Sequence, residues 1–229
     1  MRANNRNVTM TSVDTHVDLL AMGLRRLTAE GELEEAAGET AALEPVERLL
    51  VIDLEMSGPN PLVHEVLDIG GVIAGLEQGL PELESWGARI RPKRIGNADH
   101  AALKVVGYSS KAWKNAIELE RAVDQLVDFG KGAAIAGWGI GQDMSFLLQT
   151  FRQLERDWPF APVTVDVQPI ARQVLKGTGD VDRFNLGHVA DRLGIGRDGE
   201  HGALPDALAT YDVLVALMER ATNRSRQST

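Results

Sequence analysis

An apolar run beginning at Leu49 presents two carboxylates, Asp53 and Glu55, and then stops at Ser57-Gly58-Pro59. In a β-strand alternate side chains share a face, so Asp53 and Glu55 project together while Leu50, Ile52 and Leu54 point the other way. Two acids side by side at the end of a buried strand repel each other and lose hydration, so the pair calls for a cation or buried donors. A divalent metal is the simplest occupant. Three further groups of matching chemistry lie downstream: Asp143 after a Gly-rich turn, His201 in a Gly-flanked approach, and Asp206 behind Pro205. Pro205 suits the first position of a helix, which places Asp206 in its first turn. Taken singly, each group has an ordinary reading: Asp53 and Glu55 as a solvated strand end, Asp143 and Asp206 as acids offsetting a helix dipole, His201 as a structural histidine.

The elements that must hold these groups follow from hydrophobic periodicity. A strand from about Arg48 carries the two acids, and strands at 65–74 and 84–91 complete an antiparallel meander joined by short turns. Helices are expected at about 99–106 and 111–129, the second with Trp113, Ile117, Ala122, Leu126 and Phe129 facing inward. Residues 133–136 read as a buried parallel strand. A helix from about Asp143, a strand at 163–167, and helices near 168–176, 185–193 and 205–221 complete the order. That order predicts an α/β fold, a mixed five-stranded sheet flanked by helices, over residues 47–221.

Residues 1–46 are expected to form an N-terminal extension. It reads as a disordered polar tail, an amphipathic helix at about 13–27 and an acidic linker rich in Glu, Ala and Gly. In the helix Val13, Val17, Leu20, Leu24 and Leu27 share a face, a candidate contact for a homodimer or a protein partner. Asp14, His16 and Asp18 spread around its polar side, where solvated charge is the rule. Residues 222–229 read as a flexible tail.

Composition bounds the function classes. With 44% hydrophobic residues over 229 positions the chain can bury one substantial core. It has no apolar run of membrane-spanning length and no signal-peptide pattern, which points to a cytoplasmic protein with no membrane partner. The absence of cysteine excludes disulfides, thiolate metal sites and a cysteine nucleophile. A net charge of −9 argues against a broad basic face gripping long nucleic acid. The first 46 residues hold 4 Lys/Arg against 8 Asp/Glu, so a local basic groove on the body stays open as a reading. Its densest basic run is Arg89, Arg91, Lys93 and Arg94, either phosphate contacts or a charged strand edge.

In order and context these segments resemble the DEDDh family of 3′→5′ exonucleases, the superfamily of ribonuclease T, the polymerase III epsilon proofreading subunit and oligoribonuclease. The first family motif corresponds to Asp53-Leu54-Glu55-Met56-Ser57-Gly58, the second to Asp143-Met144-Ser145-Phe146-Leu147, and the third to His201-Gly202-Ala203-Leu204-Pro205-Asp206-Ala207. Met56-Ser57 stands where Thr-Thr is commoner, with Met usual in the oligoribonuclease branch, and Gly139 follows Trp138 where the family often has Asn.

The resemblance implies a ribonuclease H-like fold and two Mg²⁺ or Mn²⁺ ions. Asp53, Glu55 and Asp206 would bind one ion, Asp53 with Asp143 the second, and His201 would act as general base on the attacking water. It implies hydrolysis at the 3′ end of single-stranded or short DNA or RNA, releasing nucleoside 5′-monophosphates. Met56, Ser57 and Trp138 are the candidate substrate contacts, with Met56 or Trp138 packing on the terminal base; core packing is the alternative for Trp138. Two other functions fit the same residues less directly: an oligoribonuclease-like scavenger of very short RNA, and a non-catalytic nucleic-acid-binding or adaptor module.

Overall fold

The computed structural model describes residues 12–43, 46–77, 79–177, 184–196 and 202–227. The elements run α1 (Ser12–Ala21), β1 (Leu24–Leu27), β2 (Leu33–Glu35), β3 (Arg48–Met56), β4 (Val66–Gly75), β5 (Glu82–Arg89), α2 (His100–Val106), α3 (Leu119–Gly130), β6 (Ala134–Gly137), α4 (Gly141–Gln153), β7 (Val163–Asp166), α5 (Val167–Val174), α6 (Leu186–Leu193) and α7 (Ala203–Gln227). One mixed sheet takes the order β2-β1-β7-β6-β3-β4-β5. β3, β4 and β5 form the expected antiparallel meander, and β6 runs parallel to both β3 and β7.

The continuous apolar run of β3 is explained by burial on both faces. Leu49 and Val51 pack beneath α7 with Tyr211 and Leu214, while Leu50, Ile52 and Leu54 pack beneath α3 and α4 with Leu126, Met144 and Leu147. Each such side chain contributes roughly 1.5–3 kcal/mol on leaving water. The central strand is therefore fixed in register, and the residue that follows Val51 on the α7 face is Asp53.

The sheet has seven strands where five were expected, because the N-terminal extension joins it. The first helix stops at Ala21 and not near residue 27, and β1 then pairs antiparallel with β7, Leu24 opposite Val165. Gly23 makes this crossing possible: a Cβ there would stand 2.1 Å from the carbonyl oxygen of Asp166. An unpaired β7 edge would leave a row of backbone donors and acceptors exposed, and β1 satisfies them. The stretch expected to be an acidic linker holds β2 and a short 3₁₀ helix at Thr40–Ala42, with Ala36 and Leu43 buried. Leu19 and Leu20 of α1 sit in the core shared with α7, so part of the face expected to recruit a partner is spent within the chain.

Two helix boundaries also move. The helix expected at 111–129 starts only at Leu119, because the backbone around Ile117 is extended and bonds to the sheet edge: its N–H donates to the Arg89 carbonyl, and its carbonyl accepts the Arg91 N–H. Trp113 is still buried and donates its indole N–H to the Leu67 carbonyl. α7 continues to Gln227, through most of the stretch expected to be a flexible tail. Among the described residues no helix is long and apolar enough to cross a membrane.

Candidate active site

Three elements converge at the C-terminal end of β3. The strand brings Asp53 and Glu55 on the face covered by α7. The first turn of α7 brings Asp206, and each of these three carboxylates offers an oxygen within 4.8 Å of the others. That approach depends on glycines in the neighbouring strands. Gly70 lies opposite Asp53 on β4, and Gly87 lies opposite Gly70 on β5. A Cβ on Gly70 would stand 2.2 Å from backbone atoms of Ala203 and Leu204, and one on Gly87 would meet the Leu204 side chain at 3.1 Å. The two missing side chains form the trough in which the start of α7 rests.

The fourth acid arrives from the other layer. α4 begins at Gly141, and Asp143 in its first turn accepts the Leu54 N–H at 3.0 Å in a buried bond. Asp143 is 8% exposed, so its carboxyl is held between β3 and the helix start.

Burial and mutual repulsion dominate the electrostatics of this cluster. Burial and then the charges of Asp143, Asp206, Glu55 and Asp68 push the Asp53 carboxyl well above its usual range. Burial, followed by Asp206, Asp68 and Asp143, pushes Glu55 up to about 7. Asp143 is likewise pushed up to about 7, chiefly by burial, against the opposing pull of the Leu54 N–H and its own N–H. Among the described residues, no lysine or arginine is within ion-pair distance of Asp53, Glu55 or Asp143. Mutually repelling carboxylates, with Asp143 buried and Asp53, Glu55 and Asp206 half-buried, have the donor set and charge that hard divalent cations require.

Other expected contacts fall differently. Ser57 is buried, and its hydroxyl accepts the Glu65 N–H at 2.8 Å, so it closes the turn after β3 and does not face outward. Met56 is half-buried against the core under α4. Trp138 stacks on Phe184 with ring centroids 5.8 Å apart and packs on the α7-side core, the alternative reading for this residue. His201 lies outside the described residues. His64, which matches no motif, accepts the Asn60 N–H through Nδ1 and orders the loop after β3. The basic run is largely engaged: Arg91 pairs with Glu118 at 2.9 Å, Lys93 with Glu120 at 3.0 Å, Arg94 with Glu65 at 3.8 Å, and Arg89 lies 4.7 Å over the Trp113 ring.

Two carboxylates escaped the sequence reading. Asp68 sits opposite Glu55 on β4 and accepts the Ala203 N–H, tying the start of α7 to the sheet. Asp166 ends β7, 5% exposed, where it caps α5 through the Gln168 N–H and accepts the Gly139 N–H, both at 3.0 Å. The signal for Asp166 was an acid closing an apolar run just before a helix, an N-cap pattern. Asp68 carried no comparable signal, being one acid inside an apolar strand.

The family model for exonucleases of the RNase T type matches residues 50–214, a span that contains all four clustered acids. The chain belongs to this exonuclease family. Relatives include the PolC-type DNA polymerase III of Thermotoga maritima, 25% identical over 173 residues that cover 74% of this chain. That match spans only 12% of the polymerase. The epsilon subunit of DNA polymerase III from Haemophilus influenzae is 28% identical over 185 residues, covering 77% of this chain and 69% of the subunit. Among solved structures, E. coli exonuclease I in complex with a dT13 oligonucleotide superposes with a TM-score of 0.65 at 17% identity, over 79% of this chain and 43% of that one. The expected ribonuclease H-like exonuclease fold is thereby met, enlarged at one edge by β1 and β2.

Proposed function

We propose that this exonuclease is of the DEDDh type and removes nucleotides from the 3′ end of single-stranded or short nucleic acid, using two divalent cations, Mg²⁺ or Mn²⁺. The observation that carries the reading is the convergence of Asp53, Glu55 and Asp206 within 4.8 Å, with no lysine or arginine among the described residues in ion-pair distance of Asp53 or Glu55, and with Asp143 tied to the same strand. In this reading Asp53, Glu55 and Asp206 hold one cation, and Asp53 with Asp143 the other. Bound there, the cations would offset charge on the scissile phosphate and favour ionisation of the attacking water.

The protein's own groups supply the rest. His201 stands two positions ahead of Ala203, where α7 begins, and in this reading its imidazole takes the proton from the attacking water. An unperturbed imidazole is half-protonated near pH 6.5, which suits that task around neutrality. Water oxygen bonds to phosphorus, the bond to the preceding 3′ oxygen breaks, and a nucleoside 5′-monophosphate leaves. Met56, half-buried at the end of β3, is the remaining candidate for packing on the terminal base. The bound dT13 of E. coli exonuclease I and the excess of acidic over basic residues support a single strand held over a short footprint.

The test is degradation of 5′-labelled DNA and RNA oligomers with Mg²⁺ or Mn²⁺, wild type against Asp53→Ala. The expected result is a ladder shortening from the 3′ end, lost with EDTA and lost in the variant; a folded wild-type chain that cleaves neither polymer refutes the reading.

A further inference from the structure

Asp166 is a buried carboxylate to which the proposed chemistry gives no role, and the N-terminal strand reaches it at two points. The Gly23 carbonyl accepts the Asp166 N–H at 2.7 Å. Arg25, two residues further along β1 and 29% exposed, places its guanidinium 3.6 Å from Asp166 Oδ2. The other carboxylate oxygen accepts the Gly139 N–H. Gly139 has φ +62° and sits in the turn between β6 and α4, four positions ahead of Asp143. The contacts therefore run without a break from Arg25 through Asp166 to the turn that presents Asp143. The same guanidinium also lies 3.8 Å from the exposed carboxylate of Glu35, but only the Asp166 carboxylate is buried. Leaving a buried charge without its partner is costly, so without Arg25 the Asp166 carboxylate would be driven to rearrange or rehydrate and to release Gly139.

Resting on the functional reading above, we propose that Arg25 is a positioning residue: through Asp166 it fixes the Gly139 turn and hence the Asp143 carboxylate, making the N-terminal strand a working part of the nuclease unit. This places the boundary of that unit ahead of β1. Groups that orient metal ligands from behind typically matter 10- to 100-fold for affinity or activity.

The test uses the full chain, stripped of metal, as wild type, Arg25→Met and Arg25→Lys. Calorimetric titration with Mn²⁺ is the first readout, hydrolysis of the p-nitrophenyl ester of thymidine 5′-monophosphate the second, and the melting temperature the third. Arg25→Met is expected to weaken the weaker of two Mn²⁺ binding events by about 10-fold or more and to lower kcat with KM nearly unchanged. Arg25→Lys is expected to restore most of both. If Arg25→Met does not fold, Arg25→Gln, which keeps hydrogen-bond donors but no charge, carries the same comparison. A variant that melts earlier yet binds two Mn²⁺ with wild-type affinity has lost only stability, and that overturns the inference while leaving the functional reading standing. A wild-type chain that binds no Mn²⁺ overturns both.

Discussion

The structure holds carboxylates at two places on the same end of its sheet and treats them in opposite ways. At the end of β7, Asp166 receives two backbone N–H groups and the guanidinium of Arg25. At the end of β3, Asp53, Glu55 and Asp206 crowd together, and among the described residues no arginine or lysine pairs with Asp53, Glu55 or Asp143. The contrast separates two uses of one functional group. Asp166, which anchors backbone, is paired with an arginine of the protein itself, whereas the set at β3, a candidate site for divalent metal, keeps its mutual repulsion.

The largest expected effect tests the second half of this contrast. Asp53→Ala should lower kcat on oligonucleotides by on the order of 10³-fold, since several kcal/mol of charge stabilisation is lost at about 1.4 kcal/mol per decade. Steady-state assay at saturating Mn²⁺ measures it. Retention of more than a tenth of the wild-type rate would mean that the cluster is not the reacting centre.

Next in size is Gly70→Ala. The added Cβ would stand 2.2 Å from the backbone of Ala203 and Leu204, so the start of α7 must lift and carry Asp206 with it. Overpacking of this kind costs roughly 1–3 kcal/mol, and calorimetry should show Mn²⁺ affinity falling along with stability. Unchanged Mn²⁺ affinity would separate Asp206 from the metal set.

The repulsion within the cluster should also be visible without catalysis, once metal is removed. Glu55, raised from 4.5 to about 7, keeps its proton in the fold over a window where the unfolded chain has lost it. The metal-free protein is therefore favoured at the acid end and loses stability as pH rises from about 4.5 through 7. Melting curves in EDTA should fall between pH 5.5 and pH 8, and Mn²⁺ should reverse the fall at pH 8. Asp53→Asn, which removes one repelling charge, should raise the metal-free melting temperature at pH 8 by a few degrees, at about 2–4 °C per kcal/mol. A melting temperature independent of pH in EDTA would show that the acids are relieved by some other group.

The smallest effect belongs to the surface. Lys93 and Glu120 form an exposed pair of the kind that contributes little, so Lys93→Ala should leave both the melting temperature and KM for oligonucleotides within error. A clear rise in KM would return the basic run to the list of substrate contacts.

Much of the site was legible because its residues announce themselves locally: β3 is a long apolar run broken by two acids, and Asp206 follows a proline that suits a helix start. The N-terminal hairpin was not legible. Leu24 and Leu27 continue a helical spacing from Val17 and Leu20, and only the close approach of Gly23 to Asp166, a partner far along the chain, turns this segment into a strand. β2 is three residues long, too short for alternation to register. Ser57 matched a motif position by type, but its hydroxyl closes a turn, a use visible only once Glu65 is folded back against it. The ion pairs of the basic run with Glu65, Glu118 and Glu120 were likewise not legible, because those acids lie elsewhere in the chain and are brought alongside it by the fold.

The pairing of Leu24 with Val165 also bears on the order of events during synthesis. Most of the chain must leave the ribosome before β7 is available to β1, and Asp206 emerges later still. Loop closure over so many residues is slow compared with forming the β3–β4–β5 meander, so the edge strand and the start of α7 are expected to dock late. A nascent chain can therefore hold a folded central meander while lacking both the Arg25–Asp166 pair and the last of its four acids, so the acidic cluster is completed only after the start of α7 has been synthesised and docked.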